Sequence, residues 1–164
     1  MKTVLCSRTQ TVVIDGENSN SVPVESGVPQ GSVLGPTLFL CYINDMADNV
    51  SNAKVRLFAH DSIMYLCVES KSDAAKLQED LDCLAKWEKN INRMEFHPEK
   101  CNVLSICRKR NAASSKYTLH GHVLQQVSSA KYLGVTIKFD LNWDDHITNI
   151  ASKANRTTGF IRRN

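Results

Sequence analysis

Between Ser70 and Ile91 the chain spaces its apolar residues for a helix. Leu77, Leu81, Leu84, Trp87 and Ile91 recur at intervals of three and four, so they share one stripe of an amphipathic helix. That stripe has to be buried against another layer, which limits what the rest of the chain can build. Ser70-x-x-Asp73 opens the segment as a capping box, with Asp where Glu or Gln is usual. The spacing predicts a helix over 72–91. Just upstream, Val55 and Leu57 precede the tetrapeptide Phe58-Ala59-His60-Asp61, and Ile63, Met64, Tyr65 and Leu66 follow it. Two strands with a tight polar turn between them predict a hairpin over 55–68, with Asp61 at its tip.

The flanking segments repeat this alternation. Thr11 to Ile14 is β-branched and apolar, Asp15-Gly16-Glu17-Asn18 signals a turn, and Val22 to Val24 can return as a second strand. Pro29-Gln30-Gly31-Ser32 breaks the pattern and offers Ser32 as the N-cap of a helix over 33–49. Gly35 and Pro36 fall in its first turn, where proline costs little. Asn102 to Cys107 and Lys131 to Ile137 read as strands. Tyr117–Leu119 and Val123–Leu124 flank His120-Gly121-His122 as another hairpin. Trp143-Asp144 opens a last helix, with Ile147, Ile150, Ala151 and Ala154 on one side. The pattern predicts an α+β fold: a small antiparallel sheet backed on one face by the helices 33–49 and 72–91.

Composition excludes little. A chain of 164 residues can form one domain with a real core, and a net charge of +3 does not demand a nucleic-acid partner. The six cysteines form no CxxC pair and several lie in apolar stretches, so they read as reduced and buried, in a cytoplasmic or nuclear, intracellular and not secreted setting. Met1 to Arg8 has no apolar core of a signal peptide. No apolar run approaches the roughly 18 residues of a membrane span, so no membrane partner is expected. His120-x-His122 and Asp144-Asp145-His146 lack further ligands at recognisable spacing, and a hairpin turn and a capped helix start account for them.

The segment Ser26 to Pro36, SGVPQGSVLGP, is a loop with two glycines and a proline that runs into a helix N-terminus, a place where unpaired N–H groups favour anionic or polar ligands. It resembles the reverse-transcriptase motif that lines the nucleotide and template pocket, with Pro29, Gln30, Gly31 and Ser32 matching position by position. Phe58-Ala59-His60-Asp61 resembles the metal-binding hairpin of the same family, the reverse transcriptases of non-LTR retrotransposons. The resemblance implies a palm over 1–137 and the start of a thumb over 138–164, with a C-terminal helix beginning that thumb. It implies RNA-directed DNA synthesis on an RNA template from a DNA primer, with magnesium as cofactor.

Residue by residue, the resemblance implies metal binding by Asp61, a nucleotide pocket at Pro29 to Ser32, and a proton-donating role for Lys100. It implies primer contact by Leu133 and Gly134 in Lys131-Tyr132-Leu133-Gly134. Two departures bear on activity. His60 stands where the family carries the first of two adjacent aspartates, and imidazole is a softer ligand than magnesium prefers. The family's other catalytic aspartate precedes the SGVPQG loop, where Asp15, in a turn, is the sole aspartate of this chain. The first catalytic motif and the fingers are therefore expected to be missing, unless a separate chain supplies the fingers. The enzyme is expected to be inactive on its own. The alternatives are a non-enzymatic nucleic-acid-binding remnant, using clusters such as Arg108-Lys109-Arg110, or a degenerate product without function.

Overall fold

The computed structural model describes residues 7–24, 27–29, 31–90, 95–107 and 115–163. The chain forms two units, Met1–Asp45 and Met46–Asn164. In the first, β1 (Thr9–Gln10) pairs antiparallel with β4 (Val22–Pro23), and β2 (Val13–Ile14) pairs antiparallel with β3 (Glu17–Asn18). This is the predicted hairpin with a tighter turn than expected. Asp15 and Gly16 both take positive φ, +51° and +87°, the pattern of a two-residue type I′ turn, so the return strand starts at Glu17. Helix α1 (Leu34–Ile43) follows. It is shorter than the predicted 33–49, because Asn44–Asn49 tightens into a 3-10 helix. The Asn and Asp residues of that stretch are poor helix formers whose side chains compete for backbone hydrogen bonds.

The second unit is organised by helix α2 (Lys71–Asn90). The predicted cap is present. Asp73 Oδ2 accepts from the Ser70 backbone N–H at 3.1 Å and from the Ser70 hydroxyl at 2.7 Å, while the Asp73 N–H donates to Ser70 Oγ at 3.2 Å. The hairpin is present as well, as β5 (Lys54–Phe58) and β6 (Asp61–Tyr65), in register from Lys54↔Tyr65 to Phe58↔Asp61. Val55, Leu57 and Met64 of this hairpin pack with Met46, Leu84 and Trp87. Nearly three turns before Leu84 on the stripe, Ala74 forms a second cluster with Tyr117, Leu119 and Leu124, joined by Leu77, Leu81 and Val103. Phe96 touches both clusters, and its ring lies 6.4 Å from that of Trp87. Ile91, the last residue of the predicted stripe, lies outside the described residues.

The remaining strands are β7 (Asn102–Leu104), β8 (Thr118–Leu119), β9 (His122–Val123), β10 (Gln125–Val127), β11 (Ser129–Tyr132) and β12 (Val135–Lys138). β8–β9 and β11–β12 are antiparallel hairpins, while β7 and β10 run parallel. The expectation of one antiparallel sheet is thus corrected: among the described residues the strands form separate two-stranded ladders, one of them parallel. Left-handed pairs at His120-Gly121 and Leu133-Gly134 explain the short strands, since each closes a two-residue turn. Gln78 of α2 bonds both backbone groups of Thr118, donating to its carbonyl at 2.9 Å and accepting its N–H at 2.8 Å. The last helix, α3 (Asp144–Ile161), starts where Trp143-Asp144 predicted. The cysteines are less buried than expected: Cys41 and Cys67 are exposed, and Cys83 and Cys101 half-buried.

Two carboxylates of α2 lie inside its apolar stripe. Asp80 is 1% exposed, and it accepts the backbone N–H groups of Ser51, Asn52 and Ala53 at 3.1, 2.9 and 2.6 Å, and the Asn52 amide at 3.2 Å. Burial works to raise its pKa, but the donors from Ala53, Ser51 and Asn52 outweigh burial and hold it below the usual carboxylate range. Glu88 is also buried; it accepts the Phe96 N–H at 2.8 Å and meets His120 Nε2 at 3.0 Å. Burial raises the pKa of the Cys101 thiol, and the charge of Glu88 adds to that.

Because the folded-state pKa of Asp80 is lowered, its contribution to stability is present above the unfolded pKa and is lost as pH falls through the folded value. Asp80→Asn is therefore expected to cost about 3 kcal/mol at neutral pH, since three backbone N–H groups lose the charged acceptor that the buried Asp80 supplies. Urea denaturation followed by circular dichroism should show the gap between wild type and variant narrowing as pH drops below about 4.

Candidate functional site

The tip of the β5–β6 hairpin carries His60 and Asp61 side by side. Only Ala59 and His60 separate the paired residues Phe58 and Asp61, so the tip has no room for a wider loop. Ala59 takes φ +50°, in the left-handed region, while His60 does not. The other two-residue turns place Gly at their second position, so this tip differs in both sequence and backbone. His60 Nε2 stands 3.8 Å from Asp61 Oδ1, and both side chains are largely in solvent. Alternation along β5 turns Val55 and Leu57 inward and Lys54, Arg56 and Phe58 outward. The Asp80 bonds to residues 51–53 fix the entry to β5, and thereby the base of this hairpin.

Magnesium takes near-octahedral oxygen ligands. The tip offers one carboxylate and one imidazole, and among the described residues no group of three His, Cys, Asp or Glu side chains is placed to hold a metal ion. The donor set at the tip does not fit magnesium.

The Pro29–Ser32 loop belongs to the first unit, and Gln30 lies outside the described residues. Gly31 takes φ +77°, and the Ser32 N–H returns to the Pro29 carbonyl at 3.3 Å. Ser32 Oγ donates to the same carbonyl at 2.8 Å and accepts the Gly35 N–H at 2.9 Å. Val33 is already helical at φ −62° and ψ −31°, so Ser32 acts as the N-cap that the sequence predicted. Gly35 is the residue that sequence reasoning undervalued. A Cβ there would stand 2.8 Å from the Pro29 carbonyl oxygen and 3.1 Å from Ser32 Oγ. The glycine lets the loop lie against the helix start.

The remaining candidates occupy separate turns of the second unit. Lys100 is exposed at the end of a 3-10 turn, Pro98–Lys100, and its N–H donates to the His97 carbonyl at 2.9 Å. Leu133 and Gly134 form the tip between β11 and β12, at φ +47° and +85°. Arg108, Lys109 and Arg110 lie outside the described residues. His120, weighed as half of an imidazole pair, instead meets Glu88. The sequence did carry a signal for that partner, because Glu88 sits four residues beyond Leu84 on the apolar stripe.

Comparison with known proteins places the chain in one family. A family model for reverse transcriptase (RNA-dependent DNA polymerase) matches residues 1–137. The chain is 34% identical over 158 residues to an RNA-directed DNA polymerase from the mobile element jockey of Drosophila melanogaster, covering 92% of this chain and 17% of that relative. It is 34% identical over 142 residues to a probable RNA-directed DNA polymerase from transposon BS, covering 79% of this chain and 16% of the relative, and 30% identical over 158 residues to one from transposon X-element, covering 93% and 17%, both of the same species. The chain thus spans about one sixth of the length of the curated relatives it matches. No solved structure matches it.

Two substitutions test the local geometry. Ala59→Gly should stabilise the second unit by about 0.5–1 kcal/mol, because relief of the left-handed alanine exceeds the added freedom of glycine in the unfolded chain; the urea midpoint should rise. Gly35→Ala should weaken the start of α1 by about 1–3 kcal/mol, since backbone has to shift to admit the methyl. Amide exchange across Leu34–Ile43 should speed up accordingly.

Proposed function

The chain belongs to the reverse transcriptase family, of the type carried by non-LTR mobile elements, and from that premise we propose that it is a palm segment, 1–137, with the start of a thumb at 138–164, that does not synthesise DNA by itself. Reverse transcriptases bind template and primer and generally use divalent metal ions. The observation that carries the proposal is the hairpin tip, where Asp61 has His60 at 3.8 Å in place of a second carboxylate. Phosphoryl transfer with two clamped metal ions needs converging hard oxygen ligands, and this tip supplies one carboxylate.

In this reading Pro29, Gln30, Gly31 and Ser32 derive from a nucleotide pocket, Lys100 from a proton donor to leaving pyrophosphate, and Leu133 and Gly134 from a primer contact. Arg108, Lys109 and Arg110 would meet nucleic-acid phosphates. A chain that supplied the fingers would be the natural partner. Among the described residues no helix is long and apolar enough to cross a membrane.

A second reading, a nucleic-acid-binding remnant, draws on the exposed Lys153, Arg156 and Arg162 of the last helix. One assay separates the two. On a primed RNA template with magnesium or manganese, the purified chain should give no extension above the protein-free control, and His60→Asp should not restore it. Robust extension by the unmodified chain would refute the inactivity. Binding that weakens steeply with salt, without extension, would support the remnant.

A further inference from the structure

The β5–β6 hairpin has a second face, opposite the one that packs with Leu84 and Trp87. Register decides which residues share it. Lys54 lies across from Tyr65, Arg56 across from Ile63, and Phe58 across from Asp61, while Val55, Leu57 and Met64 occupy the packed side. Phe58 and Tyr65 are 63% and 44% exposed, and Lys54 and Arg56 are exposed beside them. The solvated side of an antiparallel ladder ordinarily alternates to polar residues. This one carries two aromatic rings.

Its charges are also uncommitted. Among the described residues neither Lys54 nor Arg56 enters an ion pair. Arg56 Nη1 donates to the Val55 carbonyl of its own strand at 3.0 Å. The acid of this face, Asp61, stands at the tip beside His60. Two cations and two rings thus face solvent on one short ladder.

We propose that this face binds single-stranded nucleic acid, with bases stacked on Phe58 and Tyr65 and phosphates met by Lys54 and Arg56. The inference rests on the nucleic-acid-binding reading above, and it puts the contact on the hairpin instead of α3. Rings and cations are interleaved. Lys54 stands about 5 Å across the ladder from Tyr65, and Arg56 about 7 Å along the strand from Phe58. A base on either ring therefore has a cation close by for its phosphate, the combination that holds single strands. A duplex hides its base faces inside the stack, whereas a single strand presents them. Protein-binding patches are depleted of lysine, which here sits against a ring. Stacking is indifferent to base identity, so no sequence preference is expected.

The test is fluorescence anisotropy of a labelled oligouridylate of about 12 nucleotides, titrated with the purified chain over a salt series. Phe58→Ala and Tyr65→Ala should each weaken binding at least about fivefold and leave the salt slope unchanged. Lys54→Gln combined with Arg56→Gln should flatten the slope of log affinity against log salt by about 1.4. Phe58→Trp keeps a ring, so it should bind like the wild type. Its added emission, measured against the Trp87 and Trp143 background, should be quenched by the oligonucleotide. Circular dichroism should show unchanged helix content in every variant, and Phe58→Trp decides the matter if an alanine variant unfolds. Binding that survives both ring losses but disappears when Lys153, Arg156 and Arg162 become glutamine overturns the proposal and keeps the wider reading. No binding by the wild type at low salt removes both. An RNA duplex bound as tightly as the single strand, or unquenched Phe58→Trp emission, overturns the proposal. Self-association of the chain that Phe58→Ala abolishes would make this face a protein contact and overturn it too.

Discussion

A buried carboxylate with three backbone donors holds the second unit in place. Asp80 joins the middle of α2 to the loop that launches the β5–β6 hairpin. Hydrophobic contact alone would let a two-stranded ladder slide along a helix, because apolar attraction has no direction. Four hydrogen bonds to one charged group remove that freedom, since an alternative register leaves the Asp80 carboxylate buried without its donors. The position of Leu57 and Met64 against Leu84 and Trp87 follows from this anchor, and the location of Asp61 follows from the hairpin register. Glu88 repeats the device about two turns further along the same stripe, fixing Phe96 and the β8–β9 tip through His120.

The hairpin tip combines a tight turn with a donor set that does not suit a hard cation. Its length, register and left-handed Ala59 give a sharp turn that projects the residue at Asp61 into solvent. The neighbouring residue is an imidazole, and the two side chains form a weakly held pair of exposed groups. Backbone geometry and metal chemistry are separable here, because the turn depends on residues 59 and 60 adopting particular φ values, whereas ligation depends only on the side chains they carry.

Much of the fold was legible because local rules acted unopposed. The Leu77–Trp87 spacing, the Ser70–Asp73 box and the alternation around Asp61 each depend on residues close in sequence. Ser32 was readable as a cap for the same reason. Burial of Asp80 was not anticipated, although Asp80, Leu84 and Trp87 stand at helical positions i, i+4 and i+7. A charge inside an apolar stripe announces a partner without naming it, and the partner lay in the 51–53 loop. The end of α1 was overestimated because apolar content was followed past Ile43 into residues whose side chains compete with the helix. The separate ladders were hidden for a different reason: whether strand neighbours join depends on contacts far apart in sequence. Among the candidate site residues, the tight hairpin that carries His60 and Asp61 was plain from sequence. The need for glycine at position 35 required knowing how close Pro29 comes.

Gln78 illustrates how a helix can end a sheet. Thr118 falls at a non-hydrogen-bonded position of its hairpin, between the His120-Gly121 turn and the Leu124 N–H bond to the Tyr117 carbonyl. Its own amide and carbonyl consequently point away from β9. A further strand would begin by pairing with those two groups, and the side-chain amide of Gln78 already occupies both. The helix thus presents one primary amide as a counterfeit peptide bond. An incoming chain finds no vacant donor or acceptor at that register, so this edge is closed to templated growth without a proline, a bulge or a lysine to guard it.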